Sequence, residues 1–431
     1  GQNKATLINI RKTADGTGAR DFFFTVPYNG PPIPTKDTLK FGTNIGAVDV
    51  AITMDTTGSM SGEMTNLVNS LTTTVIPGLK SAIPDVGIAI IDHKDTDDSV
   101  YGSSFCGPDS WVVNVRQVVT TTPSLALAAA SAMLSDGATG GCDTPEAQIA
   151  SMFYVLTGEP DSTVSPALAG HTPASGTWGG VDFRPGAVPV VVEISDASWH
   201  DPIGHASLVK LQDTFNAKNA KFVDVFIVLD KDPSTGLPAA GSDSSVPQAQ
   251  QLADSTNSFL PPAALGGACP NLEATRTDGN CRLMFEADSG GGGVGTSIVS
   301  AIQAISVGAT YDVAAVLSND PTNANAVDAT QFIAKLRAMD EGSAADSCAP
   351  HAAYDSTGGV KGYNDTFKQV TVGQAVCFEV DAKENTTVPP KPTAQFFNAF
   401  IDMEGMPGNV KLGDRRTVVF LVPPDESSII H

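Results

Sequence analysis

Four apolar runs constrain this chain more than any other feature. VDVAITM (48–54), VGIAII (86–91), VPVVVEIS (188–195) and FVDVFIVL (222–229) are near-continuous rather than alternating. A strand wetted on one face alternates every second residue, so continuity marks strands covered on both faces, as in a parallel sheet. Between the runs, Met64, Leu67, Val68, Leu71 and Val75 recur at helical spacing, as do Ile149, Met152, Phe153 and Leu156, and Ile298, Ala301, Ile302 and Ile305. Each stripe predicts a helix with one face on that sheet. Strand and helix alternating in this way predict an α/β fold with a doubly wound, mostly parallel sheet over 48–308. WVVNVRQVV (111–119) alternates instead and reads as an edge strand.

The flanks follow a different period. Residues 1–47 (ATLINI, DFFFTV) and 309–431 (YDVAAVL, AVCFEV, AQFFNAFIDM, TVVFLV) carry short alternating strands separated by Gly, Pro, Asn and Asp. Because 47 residues are too few for a sandwich alone, the N-terminal strands are expected to complete a C-terminal β-sandwich domain. The α/β domain is then inserted between them; two separate small domains are the alternative. A chain of 431 residues suits two or three such domains.

Charge excludes several partners. With 47 acidic and 25 basic residues the formal net charge is −22, which repels nucleic acid phosphates and anionic lipid surfaces. No run of 18 apolar residues exists to span a bilayer. The start, GQNKAT, suggests a processed or trimmed product. Six Cys fall into three close-set pairs, Cys106 with Cys142, Cys269 with Cys281, and Cys348 with Cys377, without any C-x-x-C spacing. That pattern reads as disulfides in an oxidising compartment, with 15 pairings formally open and free buried thiols as the alternative.

DTTGSM (55–60) follows the first apolar run. Ligands of a doubly wound sheet bind outside the carboxyl ends of its strands, and Asp55 stands at such an end. Asp55, Thr57 and Ser59 offer a carboxylate and two hydroxyls at alternating positions, hard oxygen donors that suit Mg²⁺, Mn²⁺ or Ca²⁺. The same residue types also cap helix N-termini, so the loop alone leaves both readings open. ATGGCDTPEAQIASMF (138–153) adds Thr139 and Asp143 in a Gly-rich loop before a helix, and VVVEISDASWHD ends a third run on Asp196.

The order D-x-T-x-S, T-G-G-x-D and a later strand-ending Asp resembles the metal-ion-dependent adhesion site of von Willebrand factor A and integrin I domains, over about 260 residues. The insertion between β segments, and DFRPGAVPVVVEISDASWH, look further like integrin β chains. The resemblance implies a von Willebrand factor A-like domain that binds a divalent metal, Mg²⁺ foremost. Asp55, Thr57, Ser59 and Thr139 would form the shell, and Asp196 would act through water or behind it. Asp143 and Glu63 would support the site, and Thr144 competes with Thr139 for the middle position. Gly62 and Glu63 stand where integrin β chains carry two acidic residues for a neighbouring metal. By the same analogy the last helix, 294–307, would slide to shift the metal loops in affinity.

Other signals are weaker. Six scattered His include no H-E-x-x-H, and His200 and His205 read as solvated loop residues. SGGGGVGTS (289–297) lacks the Lys of a phosphate loop and reads as a lead into the last helix. DHKDTDDS (92–99) and LDKDPSTG (229–236) lack EF-hand spacing and read as solvated loops.

Three functions follow. The leading expectation is an extracellular or cell-surface adhesion protein, not an enzyme, whose metal binds a carboxylate presented by a protein or other surface ligand. Nucleic acid and direct membrane insertion are excluded as partners. The alternative is a structural subunit of a surface fibre or secreted assembly, with an architectural metal site. A hydrolase in which the metal activates water comes third, since no general base is evident.

Overall fold

The computed structural model describes residues 21–96, 110–141, 145–228 and 244–425. The chain divides into two compact units: Ile45–Ala309 with Gly408–Val410, and Gly1–Asn44 with Thr310–Pro407 and Lys411–His431. β1 (Phe22–Thr25) and β2 (Lys36–Phe41) open the second of these, and the chain then enters the first.

In that unit β3 (Ala47–Asp55), β4 (Asp85–His93), β5 (Asn114–Thr120), β6 (Val188–Ser195), β7 (Lys221–Phe226) and β10 (Met284–Glu286) form one sheet in the order β10-β7-β6-β3-β4-β5. β8 (Phe259–Leu260) and β9 (Cys281–Arg282) make a small separate ribbon. β3, β4 and β6 have buried side chains along essentially their whole lengths, which is why their sequences lack alternation. Pairing is parallel from β10 to β4, but β5 runs antiparallel to β4 at the edge, with every residue half-buried.

Among the described residues seven α-helices connect these strands: α1 (Ser61–Ser70), α2 (Ile76–Ala82), α3 (Pro123–Asp136), α4 (Gln148–Thr157), α5 (Leu208–Lys218), α6 (Val246–Ser255) and α7 (Val294–Gly308). α1, α2, α3 and α7 pack among themselves, as do α4, α5 and α6. The second group covers a core of Ala51, Ala89, Ile91, Val191, Phe222 and Phe226 from the sheet.

The other unit continues with β11 (Thr310–Asn319), β12 (Ile333–Ala338), β13 (Ala353–Tyr354), β14 (Thr366–Thr371), β15 (Val376–Ala382), β16 (Gln395–Met406) and β17 (Val410–Val422). A six-stranded sheet runs β1-β17-β16-β11-β14-β13, and a three-stranded one β12-β15-β2. β1 pairs parallel with β17, whereas β12-β15-β2 is antiparallel. Phe22, Phe24, Phe41, Phe332, Phe367, Phe378, Phe397 and Phe420 fill its interior. The Cys348–Cys377 disulfide closes this unit, and Cys269–Cys281 the other; Cys106 and Cys142 lie outside the described residues.

The expected class, a doubly wound, mostly parallel sheet beside an all-β sandwich, is corrected. Strand exceeds helix, 34% against 25%, and no sheet among the described residues is purely parallel. Long alternating strands of the flanking unit outweigh the buried runs on which the expectation rested, and β5 turns back against β4.

Candidate functional site at the carboxyl edge of β3

Asp55 ends β3 fully buried. Its Oδ1 accepts from the Thr57 amide at 2.8 Å and the Thr57 hydroxyl at 2.7 Å, and its Oδ2 accepts from Ser195 Oγ at 2.8 Å. Ser195 in turn accepts from Gln148 Nε2 at 2.9 Å and from the Ala197 amide at 3.1 Å. The carboxylate therefore ties the 55–57 turn to the end of β6 and, through Ser195, to the start of α4. Three donors meet its charge.

The Gly-rich loop joins the same edge through its backbone. The Thr139 amide donates to Thr56 O at 3.1 Å, and the Gly58 amide to Gly140 O at 3.3 Å. Gly141, at φ +79°, lies so close that a Cβ there would stand 2.7 Å from Glu146 Oε1 and 3.0 Å from the Thr57 side chain. Ser59 and Thr139 are exposed, whereas Thr57, Asp196 and Glu63 are buried. Asp143 and Thr144 lie outside the described residues.

Lys94 was not foreseen at this edge. Only 2% exposed, it donates from Nζ to Thr139 O at 2.6 Å and Thr139 Oγ1 at 2.8 Å, with the Trp111 ring centroid 4.5 Å away. The DHKDT stretch read as a solvated loop is in fact buried from Asp92 to Thr96, and Asp92 is held by Arg116 and Trp111. His200 is buried and lies 3.3 Å from Asp95, whereas His205 is half-buried with Nδ1 2.8 Å from Asp161.

Glu63 lies behind the turn. Its Oε2 is buried without a hydrogen-bond partner. Burial foremost, then the charges of Asp196, Asp288 and Asp55, push its carboxyl above the ordinary value, so a proton relieves it. The loop after β10 approaches the same helix: a Cβ on Gly291 would meet Gly62 O at 2.3 Å.

Of the expected shell, the Thr139 hydroxyl is engaged by the Lys94 ammonium. An ion bound by Thr139 Oγ1 would lie within about 5 Å of the Lys94 ammonium, given hard-cation ligand distances of roughly 2 Å. At an effective dielectric of about 20, that proximity costs roughly 7 kcal/mol. Nor is the Asp55–Thr57 geometry special to a metal. Asp161 with Thr163, Asp320 with Thr322, Asp328 with Thr330 and Asp355 with Thr357 repeat the same two bonds from amide and hydroxyl to Oδ1. D-x-T is a side-chain-capped turn in this protein. Among the described residues no group of three or more His, Cys, Asp or Glu stands close enough to hold an ion.

The resemblance to von Willebrand factor A and integrin I domains is corrected accordingly. No family model and no curated protein matches the chain, and no metal-ligating group of acids, His or Cys stands among the described residues. Two solved structures of pilus adhesin SpaC from Lactobacillus rhamnosus GG are similar to it. The open conformation gives 13% identity and a TM-score of 0.34 over 94% of this chain and 49% of that one. A second form gives 11% and 0.36 over 95% and 50%. This chain spans about half the length of those structures, and such scores do not establish a common fold.

Proposed function

We propose that this chain is a structural subunit of an extracellular fibre or secreted assembly, and that the edge at Asp55 is an architectural joint. The observation that carries the reading is Lys94. The ammonium places a cation from within the protein on this edge and holds Thr139, in the loop whose backbone is bonded to the 55–58 turn. Two closed disulfides support an oxidising compartment. The acidity of the chain disfavours nucleic acid and anionic membranes as partners, and among the described residues no helix is long and apolar enough to cross a membrane.

Calorimetric titration of the whole protein with Mg²⁺, Mn²⁺ and Ca²⁺ tests this, alongside Asp55→Ala. The expected result is no saturable site that depends on Asp55. A single saturable site lost in Asp55→Ala would sink the proposal and restore metal-dependent recognition of a partner carboxylate.

A further inference from the structure

Beneath the edge, the interior of the sheet holds ionisable groups that the joint does not use. Glu193 stands in the middle of the apolar run of β6 and is fully buried. Its Oε1 lies 2.6 Å from Nε2 of fully buried His93, and its Oε2 accepts from Thr53 Oγ1. Thr53 and Glu193 are direct cross-strand partners, as are Asp55 and His93, and Glu193 and Asp224. Asp224 is 1% exposed, and its Oδ2 has no hydrogen-bond partner. Thr53, Glu193 and Asp224 thus make one polar row across β3, β6 and β7, and His93 reaches it diagonally from β4, where it stands opposite Asp55.

The charges near this row come from several elements, and α1 adds buried Glu63, which feels the charge of Asp55. β3 contributes Asp55, β6 Glu193 and β7 Asp224, while β10 places uncharged Met284 opposite Asp224. From α4, Gln148 reaches the row through Ser195, and neither titrates. Asp92 beside His93 is neutralised by Arg116, and Arg184 is engaged with Asp49 at the far end of β3. His93 is thus the cation that Glu193 holds.

We infer that His93, Glu193 and Asp224 form a proton-operated latch under the Asp55 joint, closed while the imidazolium bridges to Glu193 and loosened when that proton leaves. The link to the joint is short. The Thr56 amide donates to His93 O at 3.0 Å, and Ser195, two residues beyond Glu193, donates to Asp55. Deprotonation of His93 leaves Glu193 ionised in a dry interior beside Asp224, which favours local opening or water entry.

The direction in pH follows from the surroundings. Burial alone would lower His93, but the charge and hydrogen bond of Glu193 outweigh it, with Asp55 and Asp92 adding, and it is raised from 6.5 to about 9. Its stabilisation is therefore complete below about 6.5 and is lost as pH rises through about 9. Burial pushes Glu193 up against the pull of His93, and it pushes Asp224 well up, with Glu193 adding. Raised carboxyls penalise the fold once ionised, so all three groups make the latch tighter in mild acid than in alkali.

The test is an NMR titration of the whole protein from pH 5 to 10, with the His93 ring signal assigned through His93→Gln. His93 should titrate near 9, and the Thr56 and Thr57 amide signals should move with the same midpoint. A His93 midpoint between 6 and 7, no titration across the range, or Thr56 and Thr57 signals that ignore it would each overturn the latch. In Glu193→Gln the His93 midpoint should fall well below 9, since only the charges of Asp55 and Asp92 then oppose burial; an unchanged midpoint overturns the pairing. Should that variant fail to fold, the titration of the native protein still decides.

Discussion

Replacing Lys94 by Met tests the joint most directly. The substitution keeps the length of the side chain and removes the ammonium, with its two bonds to Thr139 and its contact with Trp111. Hydrogen bonds from charged groups contribute about 1.5–3 kcal/mol each, and a cation over an indole about 0.5–2 kcal/mol. Against this stands the cost of keeping an ammonium out of water, which Met does not incur, and Thr139 is exposed enough to recover its bonds from solvent. A net loss of about 2 kcal/mol is expected, or about 4–8 °C in the melting of a unit this size. All three Trp residues, Trp111, Trp178 and Trp199, lie in the unit containing Lys94, so tryptophan fluorescence reads the right transition. Divalent ions provide the second arm. A site filled to 100 times its Kd would add about 2.7 kcal/mol, whereas the joint predicts that neither Mg²⁺ nor a chelator moves the native transition. A Lys94→Met protein melting within a degree of native, or a native transition that climbs with Mg²⁺, would refute the reasoning.

Two further outcomes follow. Ser195→Ala removes the donor to Asp55 Oδ2 and leaves a buried carboxylate oxygen unpaired, so the same fluorescence transition should lose about 1–3 kcal/mol. Replacing Cys348 and Cys377 together by Ser opens a loop of 29 residues; calorimetry should register a loss of about 3–4 kcal/mol on the chain-entropy model.

What was legible in the sequence was what burial dictates locally. β3, β4, β6 and β7 are readable because strands covered on both faces leave no room for alternation, and β5 because it does alternate. The α4 and α7 stripes are readable for the equivalent helical reason. Balance between the units was harder to see: long strands such as β16 and β17 arise from alternating residues spread over many turns, each a weak signal, yet together they tip the chain toward strand.

The site was legible only in its local half. Asp55 and Thr57 announce an oxygen-rich turn, but the same pair recurs at Asp161, Asp320, Asp328 and Asp355 with the same bonds. D-x-T therefore specifies a turn and says nothing about what the turn meets. That is decided by Ser195, 140 residues from Asp55, and by Lys94, 45 residues from Thr139, separations over which no spacing rule operates. Lys94 was further disguised by the acids on either side of it, which made a buried segment look solvated. Glu193 left a clearer trace: a carboxylate inside an uninterrupted apolar run needs a buried partner, and His93 closes another such run. An excess of acidic oxygens at a strand edge calls for a cation, and whether a metal, a lysine or a protonated histidine answers is a question of long-range packing. Here Lys94 meets Thr139 at the surface of the edge and His93 meets Glu193 beneath it, and on the proposed reading the edge responds to protons rather than to metal.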